Sequence, residues 1–158
     1  MIREYYDPPK KGDGRVPDKR SEDDHLVDFA TWMNHMFPDV FWFHVPNENG
    51  AKAGKQYYVR QKEKGVRKGV PDVFVMVRGA YGHPYALIEM KRETKALSTP
   101  VSEEQKHALA VADGQGAFAA VCYGKEMAKA AIRDFLGAHT EKTCGKYSEF
   151  VICNSRSK

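Results

Sequence analysis

The sequence predicts an α/β fold, a mixed β-sheet flanked by helices. Three observations carry this. Short β-branched and aromatic runs alternate with stretches of helical period. Their order reads helix, strand, basic helix, strand, strand, helix, strand, helix, the pattern of a sheet with helices packed on it. The chain has 158 residues, enough for one core without disulfide or metal staples. No internal repeat is visible.

Residues 1–20 include Pro8-Pro9-Lys10-Lys11-Gly12-Asp13-Gly14 and show no hydrophobic period, so they are expected to form a flexible basic arm. Ser21 followed by Glu22, Asp23 and Asp24 reads as a helix N-cap with acids at the positive end of the dipole. Leu26, Phe29, Ala30, Met33 and Phe37 continue that helix to about Pro38. Val40 to Val45 is a strand bounded by Pro46. The turn-like Asn47-Glu48-Asn49-Gly50 leads into a basic segment containing Lys52, Lys55, Arg60, Lys62, Lys64, Arg67 and Lys68, interleaved with Tyr57 and Tyr58. Cations mixed with stackable rings suit a phosphate backbone, and a solvated helix face fits the same residues.

Gly69 to Val77 and Tyr85 to Lys91 read as a β-hairpin, with Gly79, Gly82 and Pro84 supplying the turn. Ser102-Glu103-Glu104-Gln105 is a capping box opening a helix that stops near Gly114. Ala117 to Tyr123 is a short apolar run of strand length, and Lys125 to Leu136 is a helix ended by Gly137. The remainder, 138–158, forms a tail with one possible strand at Phe150 to Cys153.

Composition narrows the function. The net charge is only +4, so any affinity for nucleic acid must come from local clustering. Cys122, Cys144 and Cys153 make no CxxC pair and the histidines have no ligand spacing, which argues against structural zinc. No signal-peptide core or membrane-length run is present, so a soluble, cytoplasmic protein without membrane contact is expected. No Gly-rich phosphate loop follows a strand, so a small-molecule α/β enzyme ranks last among the readings, and no small-molecule cofactor is expected.

The chemistry concentrates in the hairpin. Side chains alternate along a strand, so Leu87, Glu89 and Lys91 share one face and Ala86, Ile88 and Met90 the other. A hairpin centred between Ala80 and Tyr81 sets Asp72 opposite Glu89, Phe74 opposite Leu87 and Val73 opposite Ile88. Two carboxylates at close quarters suit a hard cation such as Mg²⁺, and a lysine two residues from the glutamate can orient a water or offset charge on phosphorus. A salt bridge at a strand end fits the same three residues.

As an ordered set, Gly69-Val70-Pro71-Asp72, Ile88-Glu89-Met90-Lys91-Arg92 and Gln105, preceded by Asn47-Glu48 and the basic segment, resembles the VRR-NUC branch of the PD-(D/E)xK nuclease superfamily. The resemblance runs from about Val40 to Leu136. It implies a restriction-endonuclease-like core in the order α-β-β-β-α-β-α and a nuclease domain over 21–137. It implies a metal-dependent DNA endonuclease, selective for branched or junction DNA, that uses Mg²⁺ or Mn²⁺ and acts as a homodimer. A DNA-binding or junction-recognition module that does not cut is the alternative.

Residue by residue, the resemblance makes Asp72, Glu89 and the backbone carbonyl of Met90 the metal ligands and Lys91 the group that positions the attacking water. Glu48 adds a carboxylate near the metal, although it also suits a turn. Gln105 steadies the lysine or the nucleophile, although it also suits the capping box. Lys52, Lys55, Arg60, Arg67 and Lys68 would hold DNA. The family tends to carry a large apolar or aromatic residue shortly after the glutamine, where this chain has His107-Ala108-Leu109.

Overall fold

The structure is a computed structural model describing residues 1–10, 12, 14–46 and 55–138. It contains β1 (Arg3–Tyr5), α1 (Glu22–Met36), β2 (Trp42–His44), α2 (Lys55–Glu63), β3 (Val73–Val75), β4 (Ala86–Lys91), α3 (Glu103–Gly114), β5 (Phe118–Tyr123) and α4 (Lys125–Leu136). Five strands form one mixed sheet in the order β1-β5-β4-β3-β2. β4 and β5 run parallel at the centre, with β1 parallel outside β5, while β3 and β2 extend the other side antiparallel. Parallel β4 and β5 require a crossover, and α3 supplies it.

The capping box expected at Ser102 forms, and the N-cap expected at Ser21 is a capping box as well. Ser21 Oγ accepts from Asp24 N–H and the Asp24 carboxylate accepts from Ser21 N–H. Ser102 and Gln105 exchange the corresponding pair of bonds. Each satisfies two donors that a helix start leaves without intrahelical partners. Gly137, at φ 74°, ends α4 in the left-handed conformation that a side chain would disfavour.

The sheet buries both faces. On one side α1 and α4 pack together over Ile88, Met90, Ala120 and Cys122, with Phe29, Met33, Ile132 and Phe135 fully enclosed. On the other, α3 lies on β4 and β5, and Leu109 seals a smaller core with Leu87, Ala119 and Val121. β5 is alanine-rich because it lies between two layers, and small side chains let both approach.

The hairpin register is Val73↔Ile88, Phe74↔Leu87 and Val75↔Ala86, which continues to Asp72 opposite Glu89. Strands are shorter than the apolar runs imply: pairing covers Trp42–His44 within 40–45 and Val73–Val75 within 69–77. A correction falls at the start of the chain. The arm expected over 1–20 contributes β1, where Arg3 pairs with Ala120 and Tyr5 with Cys122. Tyr5 donates to Asp134 at 2.7 Å and Arg3 lies over the Phe118 ring, 4.3 Å from its centroid. Local polarity hid a segment whose partner is distant in the chain. The strand expected at 150–153 lies outside the described residues.

Candidate active site

Asp72, Glu89, Lys91 and Gln105 converge at one end of the central strands, on the face covered by α3. Asp72 is strapped from two sides. Its carbonyl accepts from Val45 N–H and from the His44 ring, both at 2.8 Å, and its Oδ2 accepts from Met90 N–H at 2.8 Å. The first pair ties it to β2 and the last to β4. Gly69 shapes the approach to Asp72. It has φ 76°, and a Cβ there would come within 2.7 Å of the Gln105 backbone nitrogen, so only glycine lets the loop lie against the start of α3.

Glu89 is 1% exposed and Lys91 3% exposed. Lys91 Nζ lies 2.9 Å from Glu89 Oε1. Gln105 Nε2 donates to the same Oε1, while Gln105 Oε1 accepts from Ser102 N–H at 2.8 Å. One amide therefore caps α3 through its oxygen and holds the buried acid through its nitrogen, where the resemblance implied a bond to the lysine or the nucleophile. Glu89 Oε2 is buried and has no hydrogen-bond partner among the described residues.

Burial pushes the Glu89 pKa up to about 7, and the neighbouring Asp72 charge raises it further against the opposing pull of Lys91. Burial also works against the Lys91 ammonium, but the Glu89 hydrogen bond and charge, reinforced by Glu22 and Asp72, outweigh it and hold the lysine above its ordinary pKa. Two close carboxylates, one with an orphaned buried oxygen, fit a divalent cation: it would satisfy the oxygen and relieve the repulsion.

Glu22 acts on both groups from the first turn of α1, and the sequence reading assigned it only to the helix dipole. Its side chain accepts from Ser98 Oγ at 3.4 Å. Its place in the first turn of a helix was legible, but the packing of that helix start beside the end of β4 was not. Glu48 and Lys52 lie outside the described residues. Lys55 and Arg60 are exposed on α2, and Arg67 and Lys68 are exposed on the segment leading to Asp72.

A second cluster lies on the α1 side. Asp18, His25 and Glu93 bring three potential ligand atoms within 4.8 Å of one another. Arg20 Nη2 holds Asp18 Oδ2 at 2.6 Å and His25 Nδ1 accepts from Lys125 N–H at 3.4 Å, while His25 Nε2 is buried with no hydrogen-bond partner among the described residues. The Lys125 bond puts the proton of a neutral His25 on Nε2, which lies 3.8 Å from Asp18 Oδ2 and would have to lose it to take a metal.

A mixed sheet with helices on both faces, and acids and a lysine at the end of its central strands, defines an α/β nuclease fold. Comparison with known proteins makes this specific. The family model for the VRR-NUC domain matches residues 21–126, and the chain belongs to that family, generally a family of nuclease domains. A solved structure named as a VRR_NUC domain protein superposes with a TM-score of 0.61 at 19% identity, covering 77% of this chain and 92% of that one. No match was found among curated proteins. Among the described residues no helix is long and apolar enough to cross a membrane.

Proposed function

We propose that this protein is a Mg²⁺- or Mn²⁺-dependent DNA endonuclease selective for branched or junction DNA. The observation that carries the reading is the convergence of Asp72, Glu89 and Lys91 on one sheet face, with Glu89 Oε2 buried and unsatisfied. Asp72, Glu89 and the Met90 carbonyl would hold the ion. When bound, it would supply Lewis-acid polarisation of the scissile phosphodiester.

The chain's own residues do the rest. Lys91, held above its ordinary pKa, is an ammonium at neutral pH, so it orients the nucleophilic water and stabilises negative charge on phosphorus rather than serving as the base. Gln105 fixes the Glu89 rotamer through Oε1, leaving Oε2 for the ion. Glu22 deepens the negative potential that attracts the cation. Exposed Lys55, Arg60, Arg67 and Lys68 hold the phosphate backbone, with Lys52 beside them in sequence. A homodimer would present two such sites to two strands.

The test is incubation with duplex, flap and four-way-junction DNA, with and without metal, beside Asp72→Ala and Lys91→Ala. Metal-dependent cutting that is strongest on branched DNA and lost in both variants supports the reading. Cutting that survives in either variant, or none by the wild type, refutes it. Sedimentation would decide the dimer.

A further inference from the structure

The sheet face that carries the candidate site continues into a row of aromatic rings that the nuclease chemistry does not use. Phe43 on β2 stacks on Phe74 of β3 with ring centroids 5.3 Å apart and planes 8° apart. Phe74 stacks in turn on Tyr85, at 5.1 Å and 11°. Phe74 lies two residues from Asp72 on the same side of the strand, a spacing of about 7 Å.

α3 packs over β4 and β5, so the row ends in the open. Phe43 is 40% exposed, and beyond it Phe41 and Met76 are 64% and 56% exposed. Cross-strand stacking stabilises a sheet and accounts for Phe74 against Tyr85. It does not account for two phenylalanines displayed at the edge of the sheet, Phe43 on β2 and Phe41 just before it, since contiguous exposed apolar surface marks a binding face.

We propose that this row is a stacking platform for unpaired bases of the DNA strand cut at the Asp72–Glu89 site; the inference rests on the nuclease reading. The occupant follows from what adjoins the rings. Arg67 and Lys68 are exposed on the segment leading to Asp72, so the phosphate backbone of a strand that enters the site meets cations while its bases can reach the ring row. Every base has a π-face, so the platform is indifferent to sequence. A paired base inside a duplex has both faces stacked already. The substrate class is therefore DNA with unpaired nucleotides next to the scissile bond.

The experiment uses the full chain in metal-free buffer, so that binding is read without cleavage. One probe is a duplex with a single-stranded extension carrying 2-aminopurine, and the other is the fully paired duplex. Phe43→Ala should weaken binding of the extended DNA by about ten-fold, Phe43→Trp should preserve it, and Phe43→Leu should behave as alanine does. Affinity for the paired duplex should stay within about two-fold.

Equal losses on both DNAs, or rescue by leucine as full as by tryptophan, would overturn the platform. Conversion of a dimer to a monomer by Phe43→Ala would also overturn it, since a second copy would then be the occupant. Asp72→Ala separates the two readings. If the wild type cuts no DNA but the Phe43-dependent preference persists in Asp72→Ala, the nuclease reading fails and the platform stands. If metal-dependent cutting occurs without that preference, the platform fails alone.

Discussion

The two faces of the sheet are built to different standards. The face under α1 and α4 is closed: Phe29, Met33, Ile88, Ile132 and Phe135 are fully buried. The face under α3 is covered over β4 and β5, charged at the strand ends and apolar but open at β2. β4 serves both at once, sending Ala86, Ile88 and Met90 into the closed core and Leu87, Glu89 and Lys91 towards α3. Stability is concentrated on one side so that the other can bury a charged pair that a sealed apolar layer would not tolerate.

That division can be broken by substitution. Phe135→Ala empties the closed face and should cost about 3–5 kcal/mol in chemical denaturation while leaving cleavage per folded molecule unchanged. Lys91→Met should do the reverse, lowering kcat by about 10²–10³, or roughly 3–4 kcal/mol, in single-turnover assays. Its folding penalty should fall short of that for an ordinary broken buried pair, because Glu89, already near neutrality at pH 7, can take up a proton.

The buried acid also sets a pH dependence for the metal-free protein. Its folded pKa is raised to about 7, so its contribution to stability is complete below its unfolded value near 4.5 and is lost as pH rises through 7. The loss should be about 3 kcal/mol, absent in Glu89→Gln and read from denaturation midpoints across pH. His25, on the buried face of α1, runs oppositely. Burial lowers its pKa, so its contribution is present above about pH 6.5 and fades as pH falls. Gly69→Ala forces a side chain into a left-handed conformation and a Cβ to 2.4 Å from the Glu104 backbone at the start of α3. It should cost more than the about 1–2 kcal/mol of the strain alone, read from denaturation midpoints, and lower kcat by displacing Gln105.

What was legible in the sequence was local. Ser21 before three acids and Ser102 with Gln105 announce their helices within four residues, and two apolar runs joined by a Gly/Pro turn announce the hairpin. Its register was conditional on the turn centre, because both faces are apolar and one slip would exchange them; the observed pairing matches a centre between Ala80 and Tyr81. β1 was not legible, since three residues beside a Pro/Gly/Lys stretch become a strand only when β5 is there to pair with them. Glu22 was invisible for the same reason: its place beside Lys91 depends on how α1 packs. Gln105 offered two roles by sequence; the capping box forms, and the other end of the amide bonds Glu89 instead of the lysine. The aromatic row was hidden because Phe43, Phe74 and Tyr85 lie in three separate segments and meet only through strand order.

The alanines of β5 carry one more consequence. Ala119 and Ala120 are fully buried between the two layers, and an added methylene on either would push a helix off the sheet. The middle of this molecule is therefore its least editable part. Variation has room only at the periphery, on exposed α2 and at the open end of β2, where a new side chain displaces solvent instead of a neighbour. A test of the proposed DNA contacts would therefore diversify Phe41, Phe43, Lys55 and Arg60 and leave β4 and β5 untouched.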